Sequence, residues 1–255
     1  PEMKGSEDTD SKDEDEVLTI EEASRKLRSP MLSFSNTDMA FKDNLLVAGS
    51  YHGFNIYELQ DNGIPNLITS VVCPGGQGDV SVVGNILIMS VEETRGRVDC
   101  GLDGVGPDAS PERFRGIRIF DISNIKKPKQ VGAVQTCRGS HTHSVVAGPT
   151  ADNKIIVYNS GTGRVREEDE LDGCIGNIAG DTRTAYFSID VIEIPINDPA
   201  SSRIVSSPRV FADNDKGIIA GLWRGGDHGD GTQDTRPTNQ CHDITVFPSA
   251  GIAAG

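Results

Sequence analysis

From Asp38 to the end of the chain, short apolar runs rich in Val and Ile alternate with clusters of Gly, Asn, Asp and Pro. That punctuation marks strands and turns, because β-branched residues fit a pleated surface and the turn formers end it. The runs also repeat. Thr37 to Phe41, Gly78 to Val82, His143 to Ala147 and His242 to Val246 align as first strands. After a turn, each leads to a second run, at Leu45 to Ala48, Ile86 to Met89, Ile155 to Tyr158 and Gly251 to Ala254. The first three units continue with a third strand, Phe54 to Tyr57, Ile117 to Phe120 and Phe187 to Val191. A turn containing Pro65, Pro128 or Pro199 then precedes a fourth, Leu67 to Val72, Gln130 to Gln135 and Arg203 to Phe211. A recurring unit of four strands predicts an all-β fold, a β-propeller of four-stranded blades. A β-sandwich satisfies the strand count alone, without requiring the repeat.

The blades are expected at residues 38–77, 78–142 and 143–241, with the start of a fourth at 242–255, an incomplete ring that reads as a fragment. Asp38, Asp79, Ser144 and Asp243 hold equivalent positions and lie 41, 65 and 99 residues apart, so the later units carry insertions. These fall near residues 92–114, 161–185 and 212–241 and are rich in Gly, Asp, Arg and Thr, as surface loops are. Upstream, residues 1–17 read as a disordered acidic tail, with eight acids in the first sixteen positions and little to bury. Thr19 and Glu22 have the spacing of a capping box, which predicts a short helix and linker over residues 18–30, ended by Pro30.

Charge narrows the partners. A net charge of −14 argues against a nucleic-acid partner, which is held by clustered Lys and Arg, and does not suit an anionic membrane. No apolar run is long enough for a transmembrane helix. The five cysteines, Cys73, Cys100, Cys137, Cys174 and Cys241, sit in loop sequence, which points to disulfides and an extracellular, periplasmic or cell-surface location. Related positions before successive blades suggest a Cys73 to Cys137 bridge, and the two insertions a Cys100 to Cys174 bridge. Cys241 is then expected to pair with a cysteine beyond Gly255.

The motif Gly78-Asp79-Val80-Ser81-Val82-Val83-Gly84-Asn85, followed by Gly116-Ile117-Arg118-Ile119-Phe120-Asp121-Ile122-Ser123 and Lys127-Pro128, resembles the LVIVD-repeat family of bacterial propeller proteins. The resemblance extends over roughly residues 38–255, is sharpest in the second blade, and weakens in the third at Pro149 to Asn153. Stretches around Cys73, Cys137 and Cys241 look like a long, usually exported subgroup without a settled activity. The resemblance therefore implies a fold more than a function.

Candidate chemistry gathers at the blade starts. His143 and His242 share one repeat position, and Asp79 and Asp243 share the next, so propeller geometry would converge them at the mouth of the central channel. His141 lies two residues before His143 and shares its face in an extended segment. Imidazoles with carboxylates suit a transition metal. Hydrogen bonding of the same residues to turn or neighbouring-strand amides is the structural alternative. Asp213 to Gly217 has the opening spacing of a calcium loop, but Trp223 stands where its closing Glu belongs. Trp223, Arg224, Asp227 and His228 form a second candidate surface, for binding. No nucleophile elbow accompanies Ser140 or Ser144.

Two functions follow as expectations. The first is a non-catalytic exported or surface-associated scaffold that binds a protein or glycan partner through its face loops. The second is a metal-dependent enzyme with its ion at the channel mouth, held by His143 and His242. The catalytic residues are left unknown by the sequence.

Overall fold

The computed structural model describes residues 35–176, 181, 183–210, 212–213, 215–216, 218–219, 229 and 240–255. The acidic tail, the short helix, and Trp223, Arg224, Asp227 and His228 lie outside the described residues. Three four-stranded antiparallel meanders follow one another along the chain. Blade 1 comprises β1 (Asn36–Lys42), β2 (Leu45–Ser50), β3 (Gly53–Leu59) and β4 (Pro65–Val72). Blade 2 comprises β5 (Val80–Val83), β6 (Ile86–Val91), β7 (Gly116–Asp121) and β8 (Lys129–Gln135). Blade 3 comprises β9 (Thr142–Ala147), β10 (Lys154–Ser160), β11 (Asp190–Pro195) and β12 (Arg203–Ser206). A short ribbon, β13 (Ala212–Asp213) with β14 (Ile218–Ile219), precedes the hairpin of β15 (Thr245–Phe247) and β16 (Ile252–Ala254). The first strands β1, β5, β9 and β15 touch in sequence, as the inner strands of successive propeller blades do.

Blade 2 shows why the pattern yields this stack. Every residue of β6 is buried, because the sheet is covered on both faces. Successive side chains of a strand point to opposite faces. Leu87 and Met89 accordingly pack on Val47, Phe54 and Ile56 of blade 1. Ile86 and Ile88 join Ile155, Val157, Ile192 and Ile194 of blade 3. Each such side chain, fully buried, contributes about 1.5–3 kcal/mol. The cores therefore lie between blades.

Two expected strands move. The third strand of blade 3 occupies Asp190–Pro195 instead of Phe187 to Val191, since Phe187 has φ 49°, which an extended ladder does not accept. The alternation that continues through Ile192 and Ile194 places both against Val157 and Ile155. The fourth strand stops at Ser206, short of Phe211, ahead of Pro208, which has no amide to donate.

The disulfides correct the expected pairing. Cys73 is bonded to Cys100, and Cys137 to Cys174. Cysteines at equivalent positions in adjacent blades do not meet. Instead, each follows the last strand of one blade and holds the long insertion of the next. These insertions leave from the sheet end where Val91, Gly116 and Gln135 stand in register. The bridged cysteines thus lie at one end of the stack. Cys241 is a free thiol, and burial pushes its pKa up.

Candidate functional site

The same end of the stack carries two polar clusters. The first forms where the inner strands begin. Asp38 accepts the Val80 amide at 2.9 Å, and Asp79 accepts the His143 amide at 2.8 Å, so a blade-start acid in each case caps the next inner strand. Ser144 makes the third link, donating to the carbonyl of Ile244.

His143 lies inside this seam with its side chain fully buried. Its Nδ1 is 2.9 Å from Asp79 Oδ2 and 2.8 Å from Ser90 Oγ, and Ser90 in turn meets Ser140 Oγ at 2.7 Å. An ionised carboxylate only accepts, so the proton is assigned to Nδ1. A Ser-His-Asp triad divides acid and hydroxyl between the two ring nitrogens. Here both crowd Nδ1, while Nε2 is buried without a partner, so this is no triad. Burial pushes the Asp79 carboxyl up, but the charge and hydrogen bonds of His143 outweigh it and hold the pKa below the usual carboxylate range. For Asp38 burial wins and raises the pKa.

The five channel-mouth residues thus divide. His143 and Asp79 form the interior pair, whereas His141, His242 and Asp243 come together nearer the surface, with potential ligand atoms within 4.8 Å of one another. The His141 and His242 rings are 4.5 Å apart, and His242 Nδ1 is 3.0 Å from Asp243 Oδ2. Alternation in a regular strand would forbid that last approach. Asp243 has φ 48°, a left-handed turn that aspartate tolerates, and the alternation fails there. His141 Nδ1 bonds Glu92 Oε2 at 2.7 Å, and that hydrogen bond raises the imidazole pKa. A carboxylate bonded to one ring nitrogen is the arrangement that orients a metal-binding imidazole. Asp213, from the calcium-like segment, instead pairs with Lys216 at 2.9 Å.

The second cluster was not foreseen. The two insertions wall a cavity of about 1310 Å³, lined by Arg113, Arg115, Arg138, Arg164 and Arg166 against Glu167, Glu168 and Glu170. Glu170, buried, accepts Arg113 on one oxygen and Arg166 on the other, the latter at 2.5 Å. Arg138 donates to the carbonyls of Gly163 at 2.7 Å and Thr162 at 3.1 Å. Arg115 is only 3% exposed, donates to the Arg164 carbonyl at 3.0 Å, and leaves Nε without a partner. Burial, then the guanidiniums of Arg166, Arg113 and Arg138, push the Arg115 pKa down to about 10. Gly163 makes room for it, since a Cβ there would fall 1.8 Å from Arg115 Nη2. The available sequence signal was the run Arg113-Phe114-Arg115-Gly116-Ile117-Arg118, dense in arginine within an acidic chain.

No family model and no curated protein matches this chain. A solved protein from Lactobacillus plantarum is similar with a TM-score of 0.33 and 13% identity, over 70% of this chain and 57% of its own. The computationally designed Ika4 protein is similar with a TM-score of 0.27 and 12% identity, over 68% of this chain and 92% of its own. For Sqt1 of Saccharomyces cerevisiae the values are 0.24 and 12%, over 67% and 48%. The chain thus spans little more than half the length of the Lactobacillus protein.

Proposed function

We propose that this protein is a non-catalytic scaffold, exported or held at the cell surface, that binds a partner through the loops at one end of its blades. The observation that carries the reading is the disulfide plan. The insertions at residues 92–114 and 161–185 are each fixed to the blade before them, so a large loop surface is ordered before any ligand arrives. Ordering loops in advance removes an entropy cost from binding. Two disulfides also belong to an oxidising compartment. Among the described residues no helix is long and apolar enough to cross a membrane.

The partner is a protein or a glycan. Arrays of extracellular proteins and of glycans, probed with the intact oxidised chain, test this. Specific binding should fall at least tenfold in a Cys137→Ser, Cys174→Ser variant whose far-ultraviolet circular dichroism still reports the blades. Absence of any binding by the oxidised chain, or binding indifferent to the bridge, would overturn the reading.

A metal-dependent activity is favoured by one separate observation, the approach of His141, His242 and Asp243. These residues fit a borderline metal such as Zn²⁺, with Glu92 orienting His141. The expectation is stoichiometric zinc retained by the intact protein and lost in His141→Ala, His242→Ala. Negligible metal in both proteins would remove this reading and leave the scaffold.

A further inference from the structure

We propose that the arginine-lined cavity is a binding site for a small molecule carrying a carboxylate or phosphate group, and that Arg115 is the residue that holds that group. The inference rests on the reading of the loop face as a binding surface and supplies the chemistry of its ligand.

The charges inside the cavity do not balance. Among the described residues, five guanidiniums line it against three carboxylates, in a chain whose overall charge is −14. Glu167 and Glu168 are exposed, so Glu170 is the acid that lies within, and both of its oxygens are taken by Arg113 and Arg166. Arg138 is bound by loop carbonyls and lies over the Tyr186 ring, 5.1 Å from its centre. Arg115 remains, buried, beside three guanidiniums, with one carbonyl and an idle Nε. Among the described residues no acid forms an ion pair with it: Glu92 acts on it only through space, and that carboxylate is already engaged by His141 and Thr162. Removing a charge from water is costly unless a partner compensates, and a buried guanidinium cannot shed its proton to escape. An oxyanion supplies what is absent, because carboxylate and phosphate oxygens match the guanidinium fork.

The ligand's size follows from the same place. A volume of about 1310 Å³ exceeds the roughly 300–1,000 Å³ of ordinary small-molecule sites, so the cavity takes more than a bare ion. A long polyanion is disfavoured by the net negative charge of the whole chain, which would repel it. Arg164, exposed on the loop, adds a charge that can draw the anion inward.

Calorimetric titration and thermal melting of the full oxidised chain test the site, with inorganic phosphate, citrate and glucuronate as probes and glucose as the uncharged control. At least one anion should bind at millimolar concentration or better and raise the melting temperature by several degrees, while glucose does neither. Arg115→Met should lose at least tenfold in anion affinity, yet melt no lower than the native chain in anion-free buffer, because it removes an uncompensated buried charge. A purely structural arginine would instead lower the melting temperature of that variant. If Arg115→Met does not fold, Arg164→Ala, at the exposed loop, should fold normally and weaken citrate binding severalfold. Failure of all three anions to bind, or unchanged affinity in the folded variant, would sink the proposal. An array partner bound by the oxidised chain, with none of the three anions bound, would sink this proposal alone and leave the scaffold reading standing. Anion binding without any array partner would do the reverse.

Discussion

The histidine cluster and the arginine cluster sit at the same end of the stack and are built on opposite electrostatic plans. At the inner strands every imidazole has a carboxylate beside it: His143 with Asp79, His141 with Glu92, His242 with Asp243. Between the insertions, like charges crowd together and one buried acid serves two arginines. In the first cluster each imidazole is met by an acid of the chain itself, with His143 Nε2 left over. In the second, Arg115 forms no ion pair among the described residues, and that difference separates polar residues that hold blades together from polar residues left facing outward chemistry.

The largest test of this contrast removes the shared acid. Glu170→Ala leaves Arg113 and Arg166 buried without their carboxylate, and should cost about 3–5 kcal/mol of stability in denaturant unfolding. A loss below 1 kcal/mol would show that the cavity tolerates free charge and would blur the comparison. Next comes Asp79→Ala, which strands the His143 amide at a blade seam and leaves its Nδ1 to Ser90 alone, with an expected loss of about 2–3 kcal/mol. The double variant with His143→Ala should recover part of it, and strict additivity would separate the two residues.

Smaller effects come from pH. The Asp79 carboxyl titrates below its unfolded value, so its contribution is present above about pH 4 and disappears as the pH falls through the lowered folded value. Thermal melts between pH 5 and pH 2 should show that loss, diminished in Asp79→Ala. His141 runs the other way. Its raised pKa stabilises the fold fully below about pH 6.5, and the benefit fades as the pH rises through the folded value. A slight fall in melting temperature from pH 6 to pH 8, abolished by Glu92→Gln, is the expected signature.

Much of the fold was legible because blade strands carry their own turn chemistry. Ile86 to Met89 and Ile117 to Phe120 stand within β6 and β7. What misled was alignment between repeats: matching Phe187 to Phe54 outweighed the real alternation of Ile192 and Ile194. The disulfides failed for a related reason, as equivalence in sequence puts Cys73 and Cys137 in different blades instead of in contact. At the site, His141, His242 and Asp243 were named from sequence, but a left-handed Asp243 depends on the turn that receives it. The arginine cavity was hidden altogether, since a charge run reads as solvated surface until two loops are known to fold over it.

The bridges also decide how the chain behaves once cut. The Cys73 to Cys100 bond encloses Arg95 and Arg97, and the Cys137 to Cys174 bond encloses Arg164 and Arg166. A protease that severs the backbone at any of these four arginines leaves one covalent molecule, its ends still tied through sulfur. Cleavage after Arg113 or Arg183 falls outside both loops and yields two separable pieces. The front half of each insertion can therefore be nicked without loss of connectivity, while its return limb toward the sheet has only packing and hydrogen bonds to keep the halves together.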